Sequence, residues 1–455
     1  MAREKQGDRI CIVVVGHTNA GKTSLMRTLT RDRGFGEISV TPATTRHVEA
    51  ATLELGAGLT IEFDDTPGFE DSMRLVDAVH RQAPDPRTPG PERLRTFLRS
   101  PDAASFAQEA KALGRLMDAD LALYVVDATA PVTGKFLDEF VLLSWSGRPC
   151  LVVLNFVASA ADTDAWRQAL RENGLHNVVA FDTVVFNPDD EARLIAQISA
   201  LVPHAEPHVA ALAALRAEER RGQLEGSVAL IVDMLIDCAL MSERGDGADA
   251  RIAHAAAERE RRLNLGLLAL FRFTAEDYRP ESLPIEGADW RTDPFDFDTL
   301  KTIGLGLGGA AATGAAAGAT IDLVTGFTSL GLASAIGGAV GAGIDGVDRL
   351  RRAFTGEGGE GRREVGAASL RFIARRACRL VGDLAQRGHA AVTPLAAATD
   401  LSTPINDEPR MARLLDELRH VPRWADDDHA ARRERTRRAL SDLLRGELGA
   451  RLAIG

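Results

Sequence analysis

ICIVVVGHTNAGKTSLMRTL, residues 10–29, decides how the first part of this 455-residue chain folds. Ile10 to Val15 is an almost unbroken apolar, largely β-branched run, the pattern of a strand buried on both faces of a parallel sheet. Gly16 ends the run, and GHTNAGKT then matches G-x-x-x-x-G-K-[ST] residue for residue, with helix-forming residues directly behind it. Gly16 and Gly21 permit a backbone that turns successive N–H groups inward around phosphate oxygens. A helix starting near Lys22 adds the positive end of its dipole. The predicted cradle is Gly16, His17, Thr18, Asn19, Ala20, Gly21, Lys22, Thr23 and Ser24. Lys22 would reach the β- and γ-phosphates, and the Thr23 hydroxyl would ligate Mg²⁺. The stretch marks a nucleotide-binding protein.

The length allows two or three domains with real cores. With 45% hydrophobic and 26% charged residues, the composition is that of an ordinary globular protein. Only 5% of residues are aromatic while Ala and Gly abound, which predicts closely packed helix. A formal net charge of −11 argues against coating nucleic acid by bulk electrostatics. Cys11, Cys150, Cys238 and Cys378 are far apart and form no C-x-x-C pair, so buried thiols in a reducing cytoplasm are expected. The polar start MAREKQGDR runs straight into the first strand, with no secretory signal expected.

Beyond the phosphate loop, RDRGFGEISVTPATTRH is polar and turn-rich. Residues 47–55 and 59–64 read as two strands joined by a turn at Gly56-Ala57-Gly58, and the second delivers DDTPG. Phe69 follows, an apolar residue that cannot orient a water. APDPRTPGPE, around Pro84 to Pro91, should break any helix and form an exposed insertion, either a partner-binding loop or a tolerated surface one. Strands are expected again at 120–126, 149–154 and 177–181, with a closing helix at 189–201. Strands alternating with helices give a parallel α/β sheet. After the strand PCLVVL comes Asn155-Phe156-Val157-Ala158, with Asp182-Thr183 near the end of the last strand.

GHTNAGKTS, TPATTRH, DDTPG and the strand followed by Asn155 resemble the Era/TrmE-like bacterial P-loop GTPases, a translation-factor-related class. The resemblance covers roughly the first 200 residues. It implies GTP or GDP with Mg²⁺ as cofactors, Thr45 as a Mg²⁺ ligand that senses the γ-phosphate, and Asp65 holding Mg²⁺ through a water. It further implies that Lys22, Thr45 and the Gly68 amide act on the γ-phosphate, that Asn155 and Phe156 lie at the base, and that Asn19 helps bind K⁺. Such GTPases read guanine with N-K-x-D, in which the Lys stem covers the base and the Asp accepts two bonds from it. Here Phe156 can stack, but Ala158 accepts nothing. Losing a bidentate charged contact costs discrimination of order ~2–4 kcal/mol, which puts guanine specificity in question; Asp182 is a substitute acceptor.

In the second half, 206–243 and 248–274 read as long helices, with Leu224, Val228, Ile231, Leu235 and Cys238 on one face. Asp233 and Asp237 lie four apart and are expected to be neutralised by arginines of a neighbouring helix. Residues 276–296 form an acidic, Pro-containing linker. Residues 302–344 carry one charge, Asp322, and place small residues every fourth position, at Gly306, Ala310, Gly314 and Gly318 and again at Ser334, Gly338, Ala342 and Gly346. That is a glycine-zipper spacing, fit for a hairpin associated with the inner membrane or for one buried in a helical bundle. The run Arg432, Arg433, Arg435, Arg437, Arg438 reads as a solvated face. Gly356–Gly359 is formally G-x-x-G but lacks the context of a KH loop, so nothing here supports RNA or ribosome binding through such a domain. The expected architecture is an α/β P-loop GTPase domain over 8–203, a helical arm and linker over 204–297, and an all-α domain over 298–455. A cytoplasmic GTP-hydrolysing switch follows from it, with guanine nucleotide, and a membrane surface or RNA, as candidate partners; the alternatives are an RNA- or ribosome-associated GTPase and a nucleotide-binding scaffold with little turnover.

Overall fold

The computed structural model describes residues 8–33, 35, 49–69, 71–161, 163–279, 357–358, 362–396, 404–419 and 426–452. Thr45 and residues 302–344 lie outside them, and with them the first-switch and glycine-zipper expectations.

The chain divides into two compact units, Met1–Glu219 with Gln386–Val392, and Arg220–Ala385 with Thr393–Gly455. The first holds a six-stranded sheet of β1 (Arg9–Gly16), β2 (Glu49–Glu54), β3 (Thr60–Asp65), β4 (Leu121–Asp127), β5 (Cys150–Asn155) and β6 (Val178–Ala180), in the order β2-β3-β1-β4-β5-β6. All pairs are parallel except β2 with β3, the predicted hairpin. The unbroken apolar run of β1 is explained by its two faces. Val13 and Val15 enter one core, Ile12 and Val14 the other. The first core is covered by α2 (Ser72–Gln82), α3 (Gly90–Arg99), α4 (Ala107–Asp118), α5 (Gly134–Ser146) and α6 (Asp164–Glu172). The other is covered by α1 (Lys22–Thr30), α7 (Pro188–Leu201) and the start of α8 (Glu206–Leu240). Register pairs Val14 with Asp65 and Gly16 with Val125, so the chemistry-bearing residues collect at the carboxyl ends of the central strands.

The proline-rich stretch separates α2 from α3 and is exposed over residues 84–87, as expected, and a buried side chain that the sequence did not single out holds it in place. Pro91 sits in the first turn of α3, where its missing N–H costs nothing, and the residues before it are ordered around buried Arg93. Arg93 donates to the carbonyls of Thr88 (3.1 Å) and Ala83 (2.9 Å), so the loop is pinned and the helices after it are packed core. All four cysteines are free thiols, and burial pushes each of them up to about 12, which favours the protonated form.

The second unit is mostly helical, built from the rest of α8, α9 (Ala248–Leu270), α10 (Ala367–Ala385), α11 (Glu408–Arg419) and α12 (Asp426–Arg451). Leu224, Val228, Ile231, Leu235 and Cys238 of α8 are all buried against residues such as Leu267, Phe372, Leu415 and Leu444. Short strand pairs add to this helical plan without any period in the sequence to announce them: β7 (Ser242–Arg244), β9 (Glu357–Gly358) and β10 (Arg362–Glu364) form one small sheet, β8 (Tyr278–Arg279) and β11 (Leu395–Ala396) another. Arginines of α12 do neutralise the α8 carboxylates: Arg437 bonds Asp233, and Arg433 lies 3.3 Å from Asp237. Part of the arginine run is therefore paired. Among the described residues no helix is long and apolar enough to cross a membrane.

Deep in this unit, Arg376 Nε lies 3.1 Å from Glu260 Oε1, with both side chains buried. Removing one partner of such a pair strands a charge. Arg376→Met is expected to lower stability by about 3–5 kcal/mol, and adding Glu260→Leu to recover most of that, read as shifts in the urea unfolding midpoint.

Candidate functional site

The phosphate loop takes the conformation its glycines allow. Gly16, Asn19 and Gly21 have positive φ (145°, 66° and 92°), and Asn is one of the few residues with side chains that tolerate this. Gly21 caps α1 with no side-chain bond to the first-turn N–H groups, the donors a helix start offers to an anion. Lys22 is only 8% exposed, and its ammonium folds back to donate to the carbonyls of Gly16 (3.0 Å) and His17 (2.9 Å). Thr18 and Asn19 are exposed at the loop tip, while Ala20 is buried beneath it.

The D-x-x-G turn is laid directly on this loop. Thr23 Oγ1 donates to Asp65 Oδ2 at 2.8 Å, so two residues predicted from separate motifs form one oxygen pair. Thr66 N–H and Oγ1 both donate to Val14 O (3.3 and 2.8 Å), fixing the turn to the end of β1. A Cβ on Gly68 would stand 2.8 Å from Thr18 N, so only glycine allows this approach. Among the described residues no group of three or more His, Cys, Asp or Glu could hold a metal. The Thr23–Asp65 pair nevertheless suits Mg²⁺, which takes hard oxygen donors and completes its shell with waters and substrate phosphates. Phe69 is 1% exposed and packs among Leu75, Val76 and Val79, so it is core and does not face the loop.

One cluster was invisible in the sequence. His17 Nδ1 lies 3.1 Å from Glu139 Oε1, and Tyr124 OH donates to Glu139 Oε2 at 2.7 Å. Lys135 Nζ is 2.8 Å from His17 Nε2. An ammonium only donates, so Nε2 accepts and the imidazole proton resides on Nδ1, donated to Glu139. Glu139 is wholly buried; burial and then its charge push the Tyr124 phenol well above its ordinary value and keep it a donor. Partners this distant in the chain leave no local pattern to read.

At the end of β5, Asn155 is wholly buried and makes three bonds. Its Nδ2 donates to Ala20 O (3.1 Å), and its Oδ1 accepts from Phe156 N (2.9 Å) and Thr183 N (3.1 Å). Phe156 has φ 56°, and a Cβ on Gly21 would meet Asn155 Nδ2 at 2.2 Å and the Phe156 ring at 3.0 Å. Asp182, offered above as a substitute acceptor for the base, accepts three backbone N–H bonds. Its Oδ2 accepts from Ala158 N (3.0 Å), and its Oδ1 from Val184 N and Val185 N (2.9 Å each). The carboxylate organises the backbone of its own loop.

Residues 11–156 match the family described as 50S ribosome-binding GTPase, and residues 167–445 the family described as Domain of unknown function (DUF3482). The curated 5-taurinomethyluridine-[tRNA] synthase subunit GTPB3, mitochondrial, of Danio rerio is 36% identical over 81 residues, 17% of this chain and 16% of that protein. Among solved structures, Era in complex with MgGDPNP and nucleotides 1506–1542 of 16S ribosomal RNA is 20% identical at a TM-score of 0.31, over 43% of this chain and 57% of that one. A probable GTP-binding protein engB is 17% identical at a TM-score of 0.29, over 42% of this chain and 98% of that one. The chain spans about a sixth of the length of the curated relative it matches (16%). The α/β part of the chain is a P-loop GTPase domain.

Asn155→Ala would leave the Ala20 carbonyl and Thr183 N–H buried without a partner, at about 1–3 kcal/mol. A fluorescent-nucleotide titration is expected to show affinity reduced by about tenfold or more, with the fold retained by circular dichroism.

Proposed function

The chain belongs to the family described as Domain of unknown function (DUF3482), and we propose that it is a guanine-nucleotide switch that hydrolyses GTP and passes its nucleotide state to its own helical region. One observation carries this reading: the 2.8 Å bond from Thr23 Oγ1 to Asp65 Oδ2, which joins the phosphate loop to a turn able to respond to the γ-phosphate. Bound between those oxygens, Mg²⁺ would neutralise charge on the β- and γ-phosphate oxygens. Lys22 would turn from the carbonyls of Gly16 and His17 to the transferred phosphoryl group. The Gly68 amide would donate to the γ-phosphate. Thr45, by resemblance, would ligate Mg²⁺ and sense the γ-phosphate as the first-switch contact.

Two features shape the expected behaviour. Phe69 is held in the core, so no side chain from that position orients the attacking water, and basal turnover is slow. Ala158 supplies no carboxylate and that of Asp182 is engaged by three N–H groups, so the base is read less selectively than an N-K-x-D motif would read it. Asn19 supports K⁺ as an activator, although its positive φ is reason enough for an Asn there.

In this reading residues 8–203 carry the nucleotide chemistry, 204–297 the arm, and 298–455 the responding domain of a bacterial cytoplasmic protein. The glycine-zipper spacing of 302–344 supports association with a membrane surface. The family description of residues 11–156 favours a second reading, a ribosome- or RNA-associated factor. Nucleotide-dependent sedimentation with liposomes against ribosomal particles separates the two.

Phosphate release from GTP is expected at about 10⁻⁴–10⁻³ per second, the range of an unassisted switch, and faster in K⁺ than in Na⁺. Lys22→Ala should abolish it. Turnover that survives Lys22→Ala would sink the assignment.

A further inference from the structure

The loop that closes the base end, residues 182–186, is held from two sides. From within, Asp182 gathers the N–H groups of Ala158, Val184 and Val185, and Asn155 takes that of Thr183. From without, it is paired by a second piece of chain. Phe186 N donates to Gln386 O at 2.8 Å, Gly388 N donates to Val184 O at 2.9 Å, and Val185 and Arg387 form an antiparallel bridge.

That second piece lies far along the sequence, yet Gln386–Val392 belongs to the same compact unit as the phosphate loop. It is built for close approach. A Cβ on Gly388 would stand 1.9 Å from Thr183 O and 2.6 Å from the Thr183 carbonyl carbon, so any side chain there must push the loop away. Arg387, Gly388, His389 and Ala391 are buried. Arg387 donates to Ala391 O (3.0 Å) and Ala391 N to Gly388 O (3.0 Å), which closes the segment into a turn of fixed shape.

We propose that residues 386–392 are a built-in clamp that positions the base-side loop and so sets nucleotide affinity and base choice. The inference rests on the nucleotide-binding reading. The peptide groups of 183–185 are held by Asp182 and Asn155 on one side and by Gly388 and Arg387 on the other. Gly388 and Gln386 act through the loop and are positioning residues. The nucleotide site is then complete only when residues 386–392, from far along the chain, have joined the unit that holds the phosphate loop. Coupling of this kind is reciprocal: whatever factor the clamp adds to nucleotide affinity, nucleotide adds to the docking of the clamp.

Two measurements on the full-length chain test the proposal. In hydrogen exchange of the wild type, Mg²⁺-GDP is expected to protect the amides of 386–392 together with those of 182–186 and the phosphate loop. In binding, Gly388→Val should weaken GDP by about tenfold or more, mainly through faster release, and change the GDP-to-ADP ratio. Its affinity for inorganic tripolyphosphate, which has no base, should stay within about twofold. Protection of the phosphate loop with no change at 386–392 would overturn the clamp. So would a folded Gly388→Val with wild-type GDP affinity, or equal losses for GDP and tripolyphosphate. If GDP protects nothing in the wild type, the nucleotide reading falls, and the clamp with it.

Discussion

One buried carboxamide holds the first unit's working end together. Asn155 donates to the carbonyl of Ala20 in the phosphate loop and accepts from Phe156 and Thr183, so it ties that loop to the segments that follow β5 and β6. Three bonds engage both polar atoms of this wholly buried side chain. Gly21 lies against the same side chain with no room for a Cβ, so the glycine that lets the helix begin also lets the carboxamide in. The remaining geometry follows from strand ends that a parallel sheet brings to one edge: Gly16 from β1, Asp65 from β3, Asn155 from β5.

What could be read in the sequence was what is local. Apolar runs gave the strands within a residue or two, because strands buried on both faces cannot hide their composition. The phosphate loop was legible because its motif encodes backbone conformation. Asn155 was legible because it follows a strand at a fixed step, and the structure shows its bonds to Ala20 and Thr183. The hidden parts all depend on partners distant in the chain. Glu139 sits in an apolar helix with nothing beside it to reveal His17 or Tyr124. Asp182 was visible as a carboxylate but not as the organiser of its own loop, since that role depends on where Ala158 N–H falls. Arg93 gave no sign that a proline-rich stretch would be ordered around it. Gly388 lies among ordinary helix and turn residues, and only the fold brings it against Thr183.

The helical region shows the same division. The face of α8 bearing Leu224, Val228, Ile231 and Leu235 was evident from its period, and the core contains it. The charges were evident too, but their destinations were not. Arg437 and Arg433 reach Asp233 and Asp237, and Arg445 bonds Glu225 at 2.8 Å, holding that carboxyl below its usual range. These pairs are half exposed, so their contribution is to register between α8 and α12 more than to stability. The buried Arg376–Glu260 pair is different in kind, because its charges have no water to return to.

The nucleotide that accompanies the purified protein tests the phosphate site and the base end at once. Native mass spectrometry of the full-length chain, followed by identification of the released small molecule, is expected to find GDP or GTP at about one per chain. ATP or ADP in its place would contradict the guanine assignment while leaving the phosphate loop intact. A Lys22→Ala protein retaining the same nucleotide at the same occupancy would contradict the phosphate site itself.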